Sequence, residues 1–289
     1  MITIENDTIR LSINLKGAEM SSLYNKSNGL EYLWQADPHH WARHAPILFP
    51  IVGKLKNDEY RYEGRIYSLS QHGFARDMEF EMIMRDDYSA TFQLDSTMGT
   101  RLAYPFQFRL LINYTLEKNK VHIRYEVKNR DHNPLYFSIG AHPAFNCPLR
   151  EGEKRSDYQF VFEKEETFAR HEIRNGLRTG GVEVALESTR ILPIADDLFE
   201  KDAWVLAGLK SSSIGIQKGE ERILTFQFSG FPYLGLWSKS KDSPFVCIEP
   251  WFGMADLFEH NQELVDKEGL VVLEDMGEFS CNYSIEILD

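Results

Sequence analysis

The chain has 289 residues, of which 43% are hydrophobic and 13% aromatic, and its formal net charge is −12 at pH 7. This composition is too apolar for a disordered chain and is sufficient to build a sizeable core. The acidic balance excludes nucleic acid and an anionic membrane surface as expected partners, because both require a basic face.

The cysteines and the N-terminus indicate the compartment. Cys147, Cys247 and Cys281 are odd in number and have no CxxC spacing, so we expect buried free thiols rather than a disulfide framework or a zinc knuckle. The first residues lack the basic start and apolar stretch of a signal peptide. No apolar run approaches the roughly 18 residues of a membrane span. These features predict a cytoplasmic protein.

Alternation of apolar and polar residues dominates the chain and predicts β-strands. The predicted strands lie, in chain order, at residues 2–4, 9–15, 60–69, 106–116, 121–127, 135–139, 224–228 and 283–287. The polar turn at residues 117–120 joins two of them into a β-hairpin. Only two short segments, residues 197–201 and 256–264, are helical candidates.

Many strands with few short helices predict an all-β protein, a large antiparallel β-sandwich rather than a set of βαβ units. The chain has no low-complexity linker, internal repeat or shift in composition, so we expect one domain over residues 1–289. The charged segment at residues 149–157, which contains Gly152, is the expected mobile loop.

Several segments interrupt the alternation, and functional side chains often lie in such loops and strand ends. Residues 43–54 combine two prolines and a glycine within an apolar run, which predicts an irregular segment with Arg43 and Lys54 near its ends. Residues 71–76 place His72 in a loop after a strand. The structural alternative for residues 43–54 is a core crossover with two surface cations. The alternative for His72 is an ordinary loop histidine.

A second histidine follows a predicted buried strand. The chain runs from that strand through Gly140 and then presents His142 between small residues and Pro143, which biases His142 away from helical geometry. Histidine titrates near neutrality, so we expect His142 to exchange a proton at physiological pH. The alternative is a core histidine whose hydrogen bonds are satisfied.

One carboxylate lies inside an apolar strand. Glu249 is surrounded by apolar residues and precedes Pro250, and burying a charge is costly unless it is paired. Desolvation would raise its pKa and make it a better base. The alternative is a structural carboxylate bound to an arginine or to backbone N–H groups.

Trp237 and Trp251 are expected to be exposed aromatic side chains, which suit the apolar faces of sugar rings.

The sequence contains no motif typical of other common enzyme chemistries. It has no phosphate-binding glycine loop after a strand, no HExxH and no G-x-S-x-G. His39 and His40 are adjacent, and neighbouring residues of an extended chain point to opposite faces. We interpret them as a surface pair and expect no metal site.

Four motifs occur in a fixed order along the chain. They are Phe49-Pro50 followed by Gly53, Gln71-His72-Gly73-Phe74-Ala75-Arg76, Gly140-Ala141-His142-Pro143-Ala144-Phe145 and Cys247-Ile248-Glu249-Pro250-Trp251. This ordered set resembles the aldose 1-epimerase (galactose mutarotase-like) family, and more closely its LacX-like bacterial branch. The resemblance covers essentially the whole chain and implies one large β-sandwich domain with a sugar bound in an open cleft across one sheet.

The resemblance also implies individual roles. The histidine of the family's His-Pro motif matches His142 and would be the acid, and the glutamate near the C-terminus matches Glu249 and would be the base. The family's earlier loop histidine, which helps to hold the ring oxygen and hydroxyls, matches His72. An aspartate that binds sugar hydroxyls matches Asp202. The predicted substrate-binding residues are His72, Arg43, Lys54, Arg76, Asp202, Trp237 and Trp251.

The identity of the sugar is less defined. Galactose mutarotases carry Asn-Arg-Ile after their first glycine, whereas this chain has KLKN at residues 54–57, so galactose itself is not implied. Relatives that act on hexose 6-phosphates hold the phosphate with basic residues in segments similar to those of Arg43 and Arg76, so a phosphorylated sugar stays open. The implied mechanism needs no cofactor: Glu249 deprotonates the anomeric hydroxyl while His142 protonates the ring oxygen.

Two other functions are compatible with such a fold. One is a non-catalytic sugar-binding or sugar-sensing protein, and the other is a lyase or glycoside-processing domain. The presence of both His142 and Glu249 favours the enzyme, because binding alone does not require a matched acid and base. Chains of the third class usually carry an extra catalytic domain. The expected partner is a small sugar, and the sequence leaves a homodimer open.

Overall fold

Strands dominate the structure, a computed structural model that describes residues 1–288. Within that range the helices are one α-helix, α1 (Met98–Ala103), and four 3-10 turns at Lys56–Asp58, Ala75–Asp77, Arg155–Asp157 and Leu264–Asp266. None of these helices is long and apolar enough to cross a membrane. The structure therefore confirms the all-β prediction.

The strands fall into two groups along the chain. The first group is β1 (Ile2–Glu5), β2 (Ile9–Ile13), β3 (Met20–Asn25), β4 (Ile47–Leu48), β5 (Glu59–Tyr62), β6 (Arg65–Ser68), β7 (Glu81–Arg85), β8 (Ser89–Asp95), β9 (Phe108–Glu117), β10 (Lys120–Asn129) and β11 (Leu135–Phe137). The second group is β12 (Ile139–Ala141), β13 (Ala144–Asn146), β14 (Tyr158–Arg174), β15 (Leu177–Pro193), β16 (Trp204–Ala207), β17 (Ser213–Lys218), β18 (Glu221–Gln227), β19 (Tyr233–Trp237), β20 (Phe245–Phe252), β21 (Val271–Leu273) and β22 (Glu278–Ile287).

Fifteen of these strands form one antiparallel sheet. Its order is β4-β12-β20-β19-β16-β14-β17-β18-β22-β10-β9-β8-β7, with β13 also paired to β20 and β15 to β14. A three-stranded sheet, β1-β2-β3, and two strand pairs, β5-β6 and β11-β21, complete the fold. Strands that are far apart in sequence, such as β4, β12 and β20, are thereby brought side by side.

The core explains why the alternation predicted strands correctly. Along β9 and β10 every second residue is buried, and the buried sets pair across the hairpin, as in Ile123 opposite Tyr114. One hydrophobic cluster continues from Ile4 in β1 to Ile287 in β22. A single domain over residues 1–289 stays a prediction, which this continuous core supports.

Three local predictions are wrong. The strand expected at residues 60–69 is a hairpin, because Glu63 and Gly64 both adopt positive φ and reverse the chain between β5 and β6. The helix expected at residues 197–201 is a series of turns. Residues 256–264 are irregular and contain a turn at residues 258–259, and the Asp256 and Phe258 N–H groups donate to Lys54 O and Arg178 O instead of to a helix.

The expected mobile loop at residues 149–157 is held by a buried arginine. Arg155 is only 5% exposed, and its guanidinium donates to three backbone carbonyl oxygens and to the Ser238 hydroxyl at 2.8–3.2 Å. A buried charge requires such partners. The loop is therefore fixed at this end, which the charged composition of the segment concealed.

The hairpin of β14 and β15 was not predicted. Each strand has 17 residues, and long parts of both are exposed, so they lack a regular apolar face. The turn is Asn175-Gly176, and both residues have positive φ, as a two-residue hairpin turn requires. That dipeptide was the available signal in the sequence.

Candidate active site

A cavity of about 380 Å³ lies over the end of the large sheet that contains β12, β20, β19 and β16. Its wall contains eight of the predicted site residues: His142, Glu249, His72, Lys54, Arg76, Asp202, Trp237 and Trp251. The wall also includes the exposed residues Gln71, Asn175 and Lys239, so the cavity opens to solvent. The structure therefore brings eight of the nine predicted site residues together around one cavity.

Glu249 lies in the middle of β20, a strand whose first seven residues are all buried. Such a strand is covered on both faces, here by the core on one side and by the cavity wall on the other. His142 lies in the connection between β12 and β13, where its backbone N–H donates to Pro46 O at 3.1 Å. This arrangement places His142 Nε2 3.2 Å from Glu249 Oε2.

Burial controls the protonation of this pair. Desolvation raises the pKa of Glu249 well above its usual range, and the nearby charge of Asp202 adds to that effect. Desolvation also lowers the pKa of His142 to about 3, with further lowering by Arg76 and Arg43. The direction predicted for Glu249 agrees with the structure. The neutral-range pKa expected for His142 is wrong, because burial disfavours the charged imidazole.

These two effects favour the same state. Each of them disfavours the charged form of one partner, so the pair is most stable when it is uncharged. His142 Nε2 and Glu249 Oε2 lie 3.2 Å apart, close enough for a proton to pass from one group to the other. The site therefore places a potential acid and a potential base next to each other.

Aromatic rings, rather than hydrogen bonds, fix the orientation of His142. Its Nδ1 is buried and has no hydrogen-bond partner within residues 1–288. Trp41 stacks on the imidazole at 4.9 Å between ring centroids, and Trp237 and His72 contact it edge-on at 5.4 and 5.7 Å. The ring is thus confined on three sides while Nε2 faces Glu249.

His72 is held as a neutral donor. Its Nδ1 accepts a hydrogen bond from the Gly53 N–H at 3.1 Å, so the ring proton is on Nε2. The Gln71 amide nitrogen, 3.2 Å from Nε2, is also a donor and cannot accept that proton. Burial and the neighbouring His142 keep the pKa of His72 well below its usual range. The adjacent Gly73 has φ +70, and a Cβ there would lie 2.4 Å from Phe49 O, so this turn requires glycine.

The two predicted aromatic residues differ in exposure. Trp237 is half-buried, but Trp251 is only 6% exposed, so the expectation of an exposed Trp251 is wrong. Its ring fills the space over two glycines of the neighbouring strands. A Cβ on Gly140 or on Gly235 would lie 2.6 or 2.7 Å from that ring. Gly235 is also the register partner of Glu249, and its missing side chain leaves room for the Trp251 ring next to Glu249 Cβ.

The two predicted arginines occupy different positions. Arg43 is not part of the cavity wall and pairs with Asp77 at 3.2 Å. Arg76 lies in the wall, donates to Gln71 O at 2.6 Å, and has a buried Nε without a hydrogen-bond partner in the described part of the chain. Burial and the like charge of Arg43 lower the pKa of Arg76 to about 10. Asp77 also contacts Lys16, so three cations share this one carboxylate in ion-pair contact.

The sequence analysis missed several residues of the wall. Among them are Trp41, Gln71, Arg178 and Lys239. Arg178 comes from the unpredicted hairpin, where it is buried and bonded to Ala255 O at 2.8 Å. Trp41 and Lys239 carry no local pattern that separates them from surface residues, whereas Gln71 adjoins a histidine that the analysis did select.

Potential metal ligands come together at one place in residues 1–288. His142, Cys247 and Glu249 are buried, and one ligand atom from each lies within 4.8 Å of the others. The adjacent pair His39 and His40 is elsewhere: His39 bonds to Asp37 at 2.8 Å on the surface. All three cysteines are buried free thiols, as predicted.

Solved structures share this architecture. A galactose mutarotase related enzyme from Lactobacillus acidophilus superposes with a TM-score of 0.95 at 34% identity, covering 100% of this chain and 97% of that one. A galactose mutarotase-like protein from Lactobacillus casei gives a TM-score of 0.94 at 33% identity, with full coverage of both chains. The fold is thus the galactose mutarotase-like β-sandwich.

The sequence comparisons agree. The family model for aldose 1-epimerase matches residues 1–263. The chromosomal LacX protein of Lactococcus lactis is 35% identical over an alignment of 300 residues, which covers 100% of this chain and 99% of that protein. The chain belongs to the aldose 1-epimerase family, and the family resemblance noted in the sequence is confirmed.

The packing of Trp251 provides a test of this geometry. Gly235→Ala would bring a methyl group within 2.7 Å of the Trp251 ring and 3.2 Å of Glu249 Cβ, and overpacking of this kind costs about 1–3 kcal/mol. We expect a corresponding fall in the free energy of unfolding in urea. Gly99→Ala, in α1, has no contact closer than 3.6 Å and is the control. Equal stabilities of the two variants would contradict the described position of Trp251.

Proposed function

We propose that this protein is an aldose 1-epimerase, a mutarotase that interconverts the α and β anomers of an aldose or an aldose phosphate. The observation that carries the proposal is the direct contact of His142 Nε2 with Glu249 Oε2, at 3.2 Å in the wall of an open cavity. Sugar binding alone does not require a buried acid and base in contact. Ring opening does, because it removes one proton and delivers another.

The proposed reaction begins when the Glu249 carboxyl transfers its proton to His142 Nε2. This transfer creates a carboxylate and an imidazolium without changing the charge of the site. With a sugar bound in the cavity against both groups, Glu249 takes the proton of the anomeric hydroxyl while His142 gives its proton to the ring oxygen. The bond from C1 to the ring oxygen breaks and C1 becomes an aldehyde. Rotation about C1–C2 and reversal of both transfers close the other anomer.

The surrounding residues support these steps. His72 offers an Nε2–H to a ring oxygen or hydroxyl, and Asp202 offers a carboxylate to hydroxyl groups. The rings of Trp41 and Trp237 provide an apolar wall for the C–H face of the sugar. General acid–base catalysis by positioned side chains typically contributes about 10²–10⁴-fold. Because the two anomers have similar energies, an open cavity that binds neither tightly favours turnover.

An anionic substrate is supported by the cations beside the histidines. Arg76 lies in the cavity wall with a buried Nε that makes no hydrogen bond in the described part of the chain and is 3.8 Å from Asp77, and Lys54 also lies in the wall. Arg43 is close enough to lower the pKa values of His72 and His142. A phosphate group would supply the missing acceptor for these donors. We therefore include sugar phosphates among the proposed substrates.

We also propose that the protein is cytoplasmic, because its buried free thiols stay reduced in that compartment. The mechanism uses only side chains of this protein and requires no cofactor.

The role of Glu249 can be tested by removing its proton-accepting charge. Glu249→Gln keeps the shape of the side chain but cannot accept the anomeric proton, so we expect the exchange rate to fall by about 100-fold or more. The measurement is α/β exchange by NMR on a panel of aldoses and their 6-phosphates. The control is Glu259→Gln, at an exposed position.

The outcomes separate the candidate functions. Near-wild-type exchange by Glu249→Gln would exclude Glu249 as the base. If the wild-type protein shifts the sugar resonances without accelerating exchange, the protein binds sugars and does not epimerise them.

The anionic preference is tested at Arg76. Removal of the guanidinium by Arg76→Ala should raise the KM for a 6-phosphate by roughly 10–100-fold, the value of one or two charged hydrogen bonds, and change that of the neutral sugar little. Arg101→Ala, at an exposed position, is the control. Equal effects of Arg76→Ala on both sugars would exclude a phosphate contact at this residue.

A further inference from the structure

The proposed mechanism leaves one reactive side chain of the site unused. Cys247 precedes Glu249 by two residues on β20, so both side chains point to the same face of the sheet. Cys247 is completely buried, and its Sγ lies within 4.8 Å of a ligand atom of His142 and of Glu249. A buried thiol thus lies beside an imidazole and a carboxyl group that belong to the cavity wall.

We propose that His142, Cys247 and Glu249 bind one thiophilic divalent cation, such as Zn²⁺ or Cd²⁺, and that this cation inhibits the protein. Imidazole nitrogen, thiolate sulfur and carboxylate oxygen are the ligand types that Zn²⁺ takes in proteins. Three protein ligands would leave the fourth position facing the cavity. The inhibition rests on the proposed function, whereas binding of the cation does not.

The geometry is close to what such an ion requires. Bond lengths of about 2.0–2.3 Å to a tetrahedral ion place the ligand atoms about 3.3–3.7 Å apart. The 3.2 Å between His142 Nε2 and Glu249 Oε2 already fits this spacing. Cys247 Sγ lies within 4.8 Å of both partners, so a movement of about 1 Å completes the set.

Charge balance also favours a divalent ion. Burial opposes the thiolate of Cys247 and the carboxylate of Glu249 individually. A cation of charge +2 neutralises both anions, and a neutral His142 leaves the buried group without net charge. Binding releases two protons to solvent, one from the Cys247 thiol and one from the Glu249 carboxyl. The ion would then occupy the place of the proton on which ring opening depends.

The other two cysteines provide matched controls. Cys147 and Cys281 are also buried free thiols, but neither belongs to a group of three close ligands among residues 1–288. Each substitution to serine therefore perturbs a buried thiol without removing a ligand of the proposed site.

The test is a titration of the full-length, metal-free protein with Cd²⁺. We expect an ultraviolet thiolate-to-Cd²⁺ charge-transfer band that saturates at one ion per chain. Cys247→Ser should lose the band and weaken Cd²⁺ binding by about 100-fold, since even residues that only support metal ligands typically contribute 10–100-fold. Cys147→Ser and Cys281→Ser should keep the band, and His142→Gln should weaken binding as a second, independent variant. No band, or a band that persists in Cys247→Ser, would overturn the proposal.

Anomer exchange measured in the same titration separates this proposal from the proposed function. One equivalent of Cd²⁺ should abolish exchange by the wild-type protein, and a chelator should restore it. Cys247→Ser should exchange anomers and resist the same concentration of Cd²⁺. Equal inhibition of both proteins would overturn the inhibitory site. A Cys247-dependent band in a protein that never accelerates exchange would establish the metal site and contradict the epimerase.

Discussion

The contact between His142 and Glu249 is the constraint on which the rest of the site depends. Both groups are removed from water, and desolvation opposes an ionised form of either one. An uncharged pair, with a proton on the Glu249 carboxyl and the two atoms 3.2 Å apart, avoids this conflict. The same proton is available to a sugar, because moving it from the carboxyl to the imidazole creates an acid and a base at once. The uncharged state that stabilises the buried pair therefore also supplies the proton that the proposed reaction uses.

The sheet supplies the geometry that this pair needs. Pairing of β20 with β12, β13 and β19 places small residues opposite the functional ones: Gly235 faces Glu249, and Gly140 faces Trp251. These glycines leave room for the tryptophan ring. The stacked ring of Trp41 then confines the imidazole of His142, whose Nδ1 has no hydrogen bond. Precise orientation is thus obtained from packing, a rigid device in a close-packed interior.

The sequence predicted those parts of the structure that leave a local signature. Half-buried strands such as β9 and β10 show strict alternation, and Glu249 is conspicuous as a charge within an apolar run. Long parts of the hairpin of β14 and β15 are exposed and lack a regular apolar face, so it was missed. Trp41 and Arg178 join the site only through tertiary packing, and the low pKa of His142 follows from burial that no local pattern reveals. Arg43 was placed near the site but lies outside the cavity wall.

The most direct test of this account is a ¹⁵N NMR titration of the His142 imidazole in the free protein, assigned by comparison with His142→Gln. If the pair is uncharged, His142 stays a neutral imidazole from pH 7 down through the range near pH 6.5 where histidine ordinarily gains its proton, and titrates only toward its pKa of about 3. An imidazolium that forms with a midpoint near pH 6.5 would contradict the account. The pair would then be an ordinary ion pair of imidazolium and carboxylate rather than an uncharged pair.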